Sequence, residues 1–105
     1  MVNLREIGRS EQFEEGKATR VEVDGVGIAV VRVNGSLYAI DDICSHAHYH
    51  LSEGEVYAEE LEIECWKHGS TFSLLDGHPT CLPATKPVRV WKVREADGIV
   101  AIEEA

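Results

Sequence analysis

Two of the chain's three cysteines stand just ahead of a histidine. Cys44-Ser45-His46 is spaced C-x-H, and Cys65-Trp66-Lys67-His68 is spaced C-x-x-H, with residues 47 to 64 between the pairs. Thiolate is a soft ligand suited to zinc and to iron–sulfur clusters, and imidazole serves iron, zinc and copper. Each pair can reach a metal from one tight loop, so two loops supply two sulfur and two nitrogen donors. Such a set fits a structural Cys₂His₂ zinc site. It also fits an iron–sulfur centre in which two histidines replace two cysteines on one iron. The usual zinc-finger spacing is not matched, because the histidines here interleave with the cysteines.

The elements that hold these loops must be short. From the N-terminus, Val2 to Ile7 predicts a first strand, and polar Arg9 to Gly16 a loop or one helical turn. Ala18 to Val23 alternates as a strand and Asp24-Gly25 marks a turn. Ile28 to Val33 is continuously apolar and belongs in the core, and Asn34-Gly35 signals a type I′ hairpin back into Ser36 to Ile40. Leu61, Ile63 and Cys65 alternate with Glu62 and Glu64, a strand ending at a ligand. Ser70 to Leu75 reads as a further strand, and His78 to Pro87 holds all three prolines in a loop. Val88 to Val93 and Ile99 to Ile102 flank the turn Asp97-Gly98. Frequent turns between short strands predict an all-β domain.

Composition narrows the function. A chain of 105 residues, 44% hydrophobic, suits one domain with a modest core. No run approaches the roughly 18 apolar residues of a membrane span. Arg5 and Glu6 interrupt the N-terminus, which lacks the apolar stretch of a signal peptide. The expected location is the cytoplasm, where paired cysteines more often bind metal than form disulfides. The net charge of −9 argues against nucleic acid as a partner. It suits a partner with a basic docking face, or simply solubility.

With both boxes in order, the sequence resembles the Rieske-type [2Fe–2S] ferredoxins, the small carriers that feed electrons to ring-hydroxylating oxygenases. Leu51-Ser52-Glu53-Gly54 follows the first box as that family's LxxG-like segment does, Gly69-Ser70 closes the second, and Leu82-Pro83-Ala84 resembles its proline loop. The resemblance implies an antiparallel β-sandwich or barrel base, with a small cluster-binding subdomain inserted over about residues 41 to 83 of the single domain 1 to 105. It implies one [2Fe–2S] cluster, with Cys44 and Cys65 on the inner iron and His46 and His68 on the outer. Trp66, Lys67, Ser70 and Pro83 would flank the cluster. Lys67 departs from the Pro-Trp or Pro-Leu common between these ligands. In the high-potential relatives of cytochrome bc complexes a disulfide joins the two boxes; Tyr49 and Lys67 stand in its places here. Ser70 keeps one of their two hydroxyl donors to the cluster sulfurs and Phe72 replaces the other, which implies a lower potential than theirs.

The implied activity is electron transfer, not catalysis, from a ferredoxin reductase to a terminal non-haem iron oxygenase, docked through an acidic surface and the cluster tip. Two other readings share the motif: a ferredoxin for general redox supply or iron–sulfur assembly, and a protein similar to the small subunit of nitrite reductase. His48 and His50 read as solvated loop residues or a partner-facing surface, His78 as a structural turn residue, and Cys81 as a small buried thiol.

Overall fold

The computed structural model describes residues 3–43, 50–66, 69–80 and 86–104. Its strands are β1 (Asn3–Arg9), β2 (Ala18–Val23), β3 (Val26–Val33), β4 (Ser36–Asp41), β5 (Val56–Tyr57), β6 (Glu62–Glu64), β7 (Thr71–Ser73), β8 (Val90–Trp91), β9 (Val93–Ala96) and β10 (Ile99–Glu104). Two single 3₁₀ turns, Ser10–Gln12 and Leu51–Glu53, are the helical elements among the described residues. The predicted all-β fold is the observed one.

Turn chemistry explains the hairpins. Asp24-Gly25, Asn34-Gly35 and Asp97-Gly98 each place both central residues at positive φ, the type I′ geometry whose twist matches the flanking strands. They join β2 to β3, β3 to β4 and β9 to β10. All the strand pairs are antiparallel, in three sheets ordered β1-β10-β9, β2-β3-β4-β8 and β5-β6-β7. The third sheet occupies the chain between β4 and β8.

β3 is the spine, and its unbroken apolar run follows from burial on both faces. Ile28 and Val30 face one core with Phe13, Val23, Ala39, Trp91, Val100 and Ile102. Ala29, Val31 and Val33 face the other, packed on Leu51, Ile63, Cys65, Phe72, Leu74 and Val88. The second core attaches the third sheet to the rest of the molecule.

Three local readings change. Phe13, inside a segment that reads as polar loop, is a core residue at 3% exposure. The strand expected from Val88 to Val93 is interrupted at Lys92, because Trp91 pairs with β4 while Val93 pairs with β10. Lys92 is the crossing point between sheets, its carbonyl accepting from the Glu103 N–H at 3.0 Å. Leu61 is a turn residue at φ 55°, although its side chain still packs on the second core.

Candidate metal centre

The second box is built around a buried thiol. Cys65 directly follows β6, whose middle residue Ile63 is buried, and the alternation carries Cys65 to the same side. Its side chain is unexposed and free of any disulfide. The Cys65 N–H donates to the Ser70 carbonyl at 2.7 Å, and the Gly69 N–H donates to the Cys65 carbonyl at 2.9 Å. These two bonds close the segment around His68 from both ends. Gly69 sits at φ 75°, a conformation that costs other residues energy, so the glycine after the histidine serves the turn. Ser70 is fully buried, whereas Trp66 is 50% exposed beside the thiol and so is not a core residue.

The first box is held by its two stems. Ile43 and His50 form an antiparallel bridge across residues 44 to 49. Asp42, fully buried, accepts at Oδ2 from Arg20 Nη1 at 2.6 Å and from His50 Nδ1 at 2.8 Å. Its Oδ1 accepts from the Ser52 N–H at 2.7 Å, and its carbonyl accepts from the Leu51 N–H at 2.5 Å. Burial pushes the Asp42 carboxyl up, but the donors His50, Ser52 and Arg20 together outweigh it and hold the group below the ordinary carboxylate value.

Leu51 and Gly54 connect the two boxes. Leu51 is buried in the same core as Cys65. A Cβ at position 54 would overlap the carbonyl oxygen of Glu64, the residue before Cys65. The Glu64 N–H donates to the Glu55 carbonyl at 2.9 Å. Only glycine lets the first loop's exit lie this close to the strand that carries the second box.

Of the predicted site residues, Cys65, Trp66 and Ser70 are placed. Cys44, His46, Lys67, His68 and Pro83 lie outside the described residues, as do His48 and Cys81. Among the described residues no three His, Cys, Asp or Glu side chains converge as a metal site. The donor chemistry nevertheless fits an iron–sulfur group: a buried free thiol closes one loop, and a tied pair of stems presents the other. His50, read as a solvated loop residue, keeps 40% of its side chain exposed, but its ring is also bonded to the buried Asp42. Asp42 and Arg20 were missed by sequence reasoning. The signal available was a second acid two residues ahead of Cys44.

The family model for the Rieske [2Fe-2S] domain matches residues 3–92. The anthranilate 1,2-dioxygenase ferredoxin subunit of Burkholderia cepacia is 38% identical over 96 residues, 91% of this chain and 87% of that protein. The ferredoxin of carbazole 1,9a-dioxygenase from Nocardioides aromaticivorans IC177 superposes at a TM-score of 0.91, with 37% identity over 95% of this chain and 96% of that one. A chain in a complex of reduced oxygenase and oxidised ferredoxin of carbazole 1,9a-dioxygenase matches at a TM-score of 0.86 and 32% identity, over 94% of this chain and 91% of that one.

Proposed function

The chain belongs to the Rieske [2Fe–2S] domain family, and from that membership we propose that it carries one electron at a time from a ferredoxin reductase to a terminal non-haem iron oxygenase. It acts as the carrier component of such a system, in the cytoplasm, with no active site of its own. Cys44, His46, Cys65 and His68 would hold a single cluster in a subdomain of about residues 41 to 83. Bound there, the group supplies a one-electron couple of higher potential than an all-cysteine cluster.

The protein's own residues do the rest. Cys65 offers its sulfur from a buried core, which keeps water from that ligand. Trp66, next in the chain to the buried thiol, is half exposed. No Lys or Arg occurs from residue 33 to 66, while Glu53, Glu55, Glu59, Glu60, Glu62 and Glu64 all lie there. Burial, then the charges of Glu64, Glu55 and Glu60, push the Tyr57 hydroxyl up, a mark of concentrated negative charge on this sheet. A basic partner face would be drawn to it, with screening over about 8 Å at physiological ionic strength.

The observation that carries the reading is the buried, uncrosslinked Cys65 on its closed loop, in a chain matched along residues 3–92 to the family. The test is analysis of the aerobically purified protein. Equal iron and acid-labile sulfide, red-brown colour and reduction by one electron per chain are expected. A colourless zinc protein would overturn the proposal. Reduction by the cognate reductase should slow as salt rises; a rate indifferent to salt would remove the acidic surface from the docking step.

A further inference from the structure

Asp42 is a carboxylate with no solvent exposure, two residues ahead of Cys44. A charge so placed is costly unless donors meet it. Its donors arrive from separate parts of the chain: Arg20 on β2, the ring of His50, and the backbone of Ser52. Its carbonyl accepts from Leu51, and its own N–H donates to the Gly27 carbonyl on β3 at 3.0 Å. One residue therefore ties the start of segment 44 to 49 to the three residues that follow it, and ties both to the four-stranded sheet.

We propose that Asp42, with Arg20 and His50, is a clamp that positions Cys44 and His46 for the metal centre; this rests on the assignment of those two as ligands. An apolar residue would fill a buried position at lower cost, and a solubilising acid would lie outside. Neither explains a carboxylate whose two oxygens both point at the loop's far stem or at β2. Arg20 Nη1 and His50 Nδ1 also lie 2.8 Å apart. Both face Asp42 Oδ2, so each donates to that oxygen, and their closeness reflects a shared acceptor. The ring proton then sits on Nδ1, because an Nδ1 lone pair would face the carboxylate. Gly27 belongs to the same arrangement. A Cβ there would collide with the Arg20 guanidinium, which lies across this position to reach Asp42.

The clamp acts through the ligands and touches no reacting atom, so its removal should alter the centre's geometry more than the fold. Asp42→Asn keeps the shape but has no charge and only one acceptor oxygen, so it cannot meet Arg20 and His50 on one side and the Ser52 N–H on the other. Arg32→Gln is the control, since it removes an ion pair with Glu95 at the other end of the sheet system. The holoproteins would be compared by iron and sulfide content, by the rate of iron loss to a chelator, and by the electron paramagnetic resonance spectrum after reduction. Asp42→Asn should lose iron about tenfold faster, with broadened and shifted g-values. Arg32→Gln should lower the melting temperature with neither change.

If Asp42→Asn yields no holoprotein, Arg20→Gln decides the matter. It leaves the His50 and Ser52 bonds in place and should give a smaller change of the same kind. Spectra and release rates within twofold of wild type in whichever of the two variants is read would overturn the clamp. So would an equal acceleration in Arg32→Gln, which would reduce the effect to stability. Wild-type protein without equal iron and sulfide would instead overturn the ligand assignment, and the clamp with it.

Discussion

The sheet β2-β3-β4-β8 and the sheet β5-β6-β7 lie on one core but are made differently. The first is built on strands of six and eight residues joined by two type I′ turns. The second has strands of two and three residues. Isolated strands so short bury too little surface to order themselves. Leu51, Ile63, Phe72 and Leu74 must borrow order from Ala29, Val31 and Val33 on β3. On the proposed ligand assignment, bonds to a metal centre would add further order, since metal binding is folding free energy in small sites. The molecule thus sets a frame of longer strands beside a sheet of short strands that leans on it.

Removing the iron should break this comparison most visibly. In the chelated protein, amide exchange over residues 51 to 80 should accelerate by on the order of a hundredfold, while β2, β3 and β4 stay protected. Uniform acceleration would mean that the two regions unfold as one unit. A paired truncation sharpens the same point. Phe13→Ala and Phe72→Ala each open a cavity in a separate core and should each cost about 3–5 kcal/mol by denaturant unfolding. Only Phe72→Ala should also shed iron, because Phe72 pairs with Ile63 on the strand that leads into Cys65. Iron loss in both variants to the same degree would erase the distinction.

A smaller effect is expected at Gly54. Alanine there meets the Glu64 carbonyl and must move backbone, at about 1–3 kcal/mol. Gly25 lies in a turn with open space around it, and alanine there should cost about 1 kcal/mol for its positive φ alone. Gly54→Ala should accelerate iron release and Gly25→Ala should not. The contrast separates close approach between the two boxes from ordinary backbone strain.

The frame was legible in the sequence because its signals are local. Asn34-Gly35 and the apolar run of Ile28 to Val33 state a hairpin and a buried strand within a few residues. Phe13 was not legible, since polar neighbours conceal a residue whose burial depends on β10 and β3 from elsewhere in the chain. Lys92 was missed because the run Val88 to Val93 looks like one strand, and only the partners of Trp91 and Val93 divide it. At the site, the boxes offered donors by type and spacing, and the alternation of Ile63 and Cys65 was legible as the side on which both are buried. Asp42 and Arg20 left no local pattern. A carboxylate on an acidic chain reads as solubility until its donors are seen converging from β2 and from the far side of a loop.

The smallest expected effect concerns the frame's own arginine. Arg32 on β3 does for the base what Arg20 does beside the ligand loop. Its Nε donates to the Phe13 carbonyl at 2.7 Å, its Nη1 to the Gly35 carbonyl at 3.0 Å, and its Nη2 pairs with Glu95 at 2.8 Å. The Arg32 hydrogen bond, then one from Ser10, holds the Glu95 carboxyl below the ordinary value against slight burial. The folded state therefore binds this proton less readily than the unfolded chain does. The pair's contribution is fully present above the unfolded carboxyl value and disappears as pH falls through the lowered folded one. At neutral pH, Glu95→Gln should cost about 0.5–1 kcal/mol, because the pair is partly exposed. Denaturant midpoints of wild type and Glu95→Gln should converge as the solution is acidified below the ordinary carboxylate range. A gap that stays constant through that range would show that the charge on Glu95 contributes nothing, which leaves Arg32 to hold the frame through hydrogen bonds such as those to the Phe13 and Gly35 carbonyls. The two arginines would then differ in kind: a charge clamp beside the ligand loop, and a neutral hydrogen-bond brace in the frame.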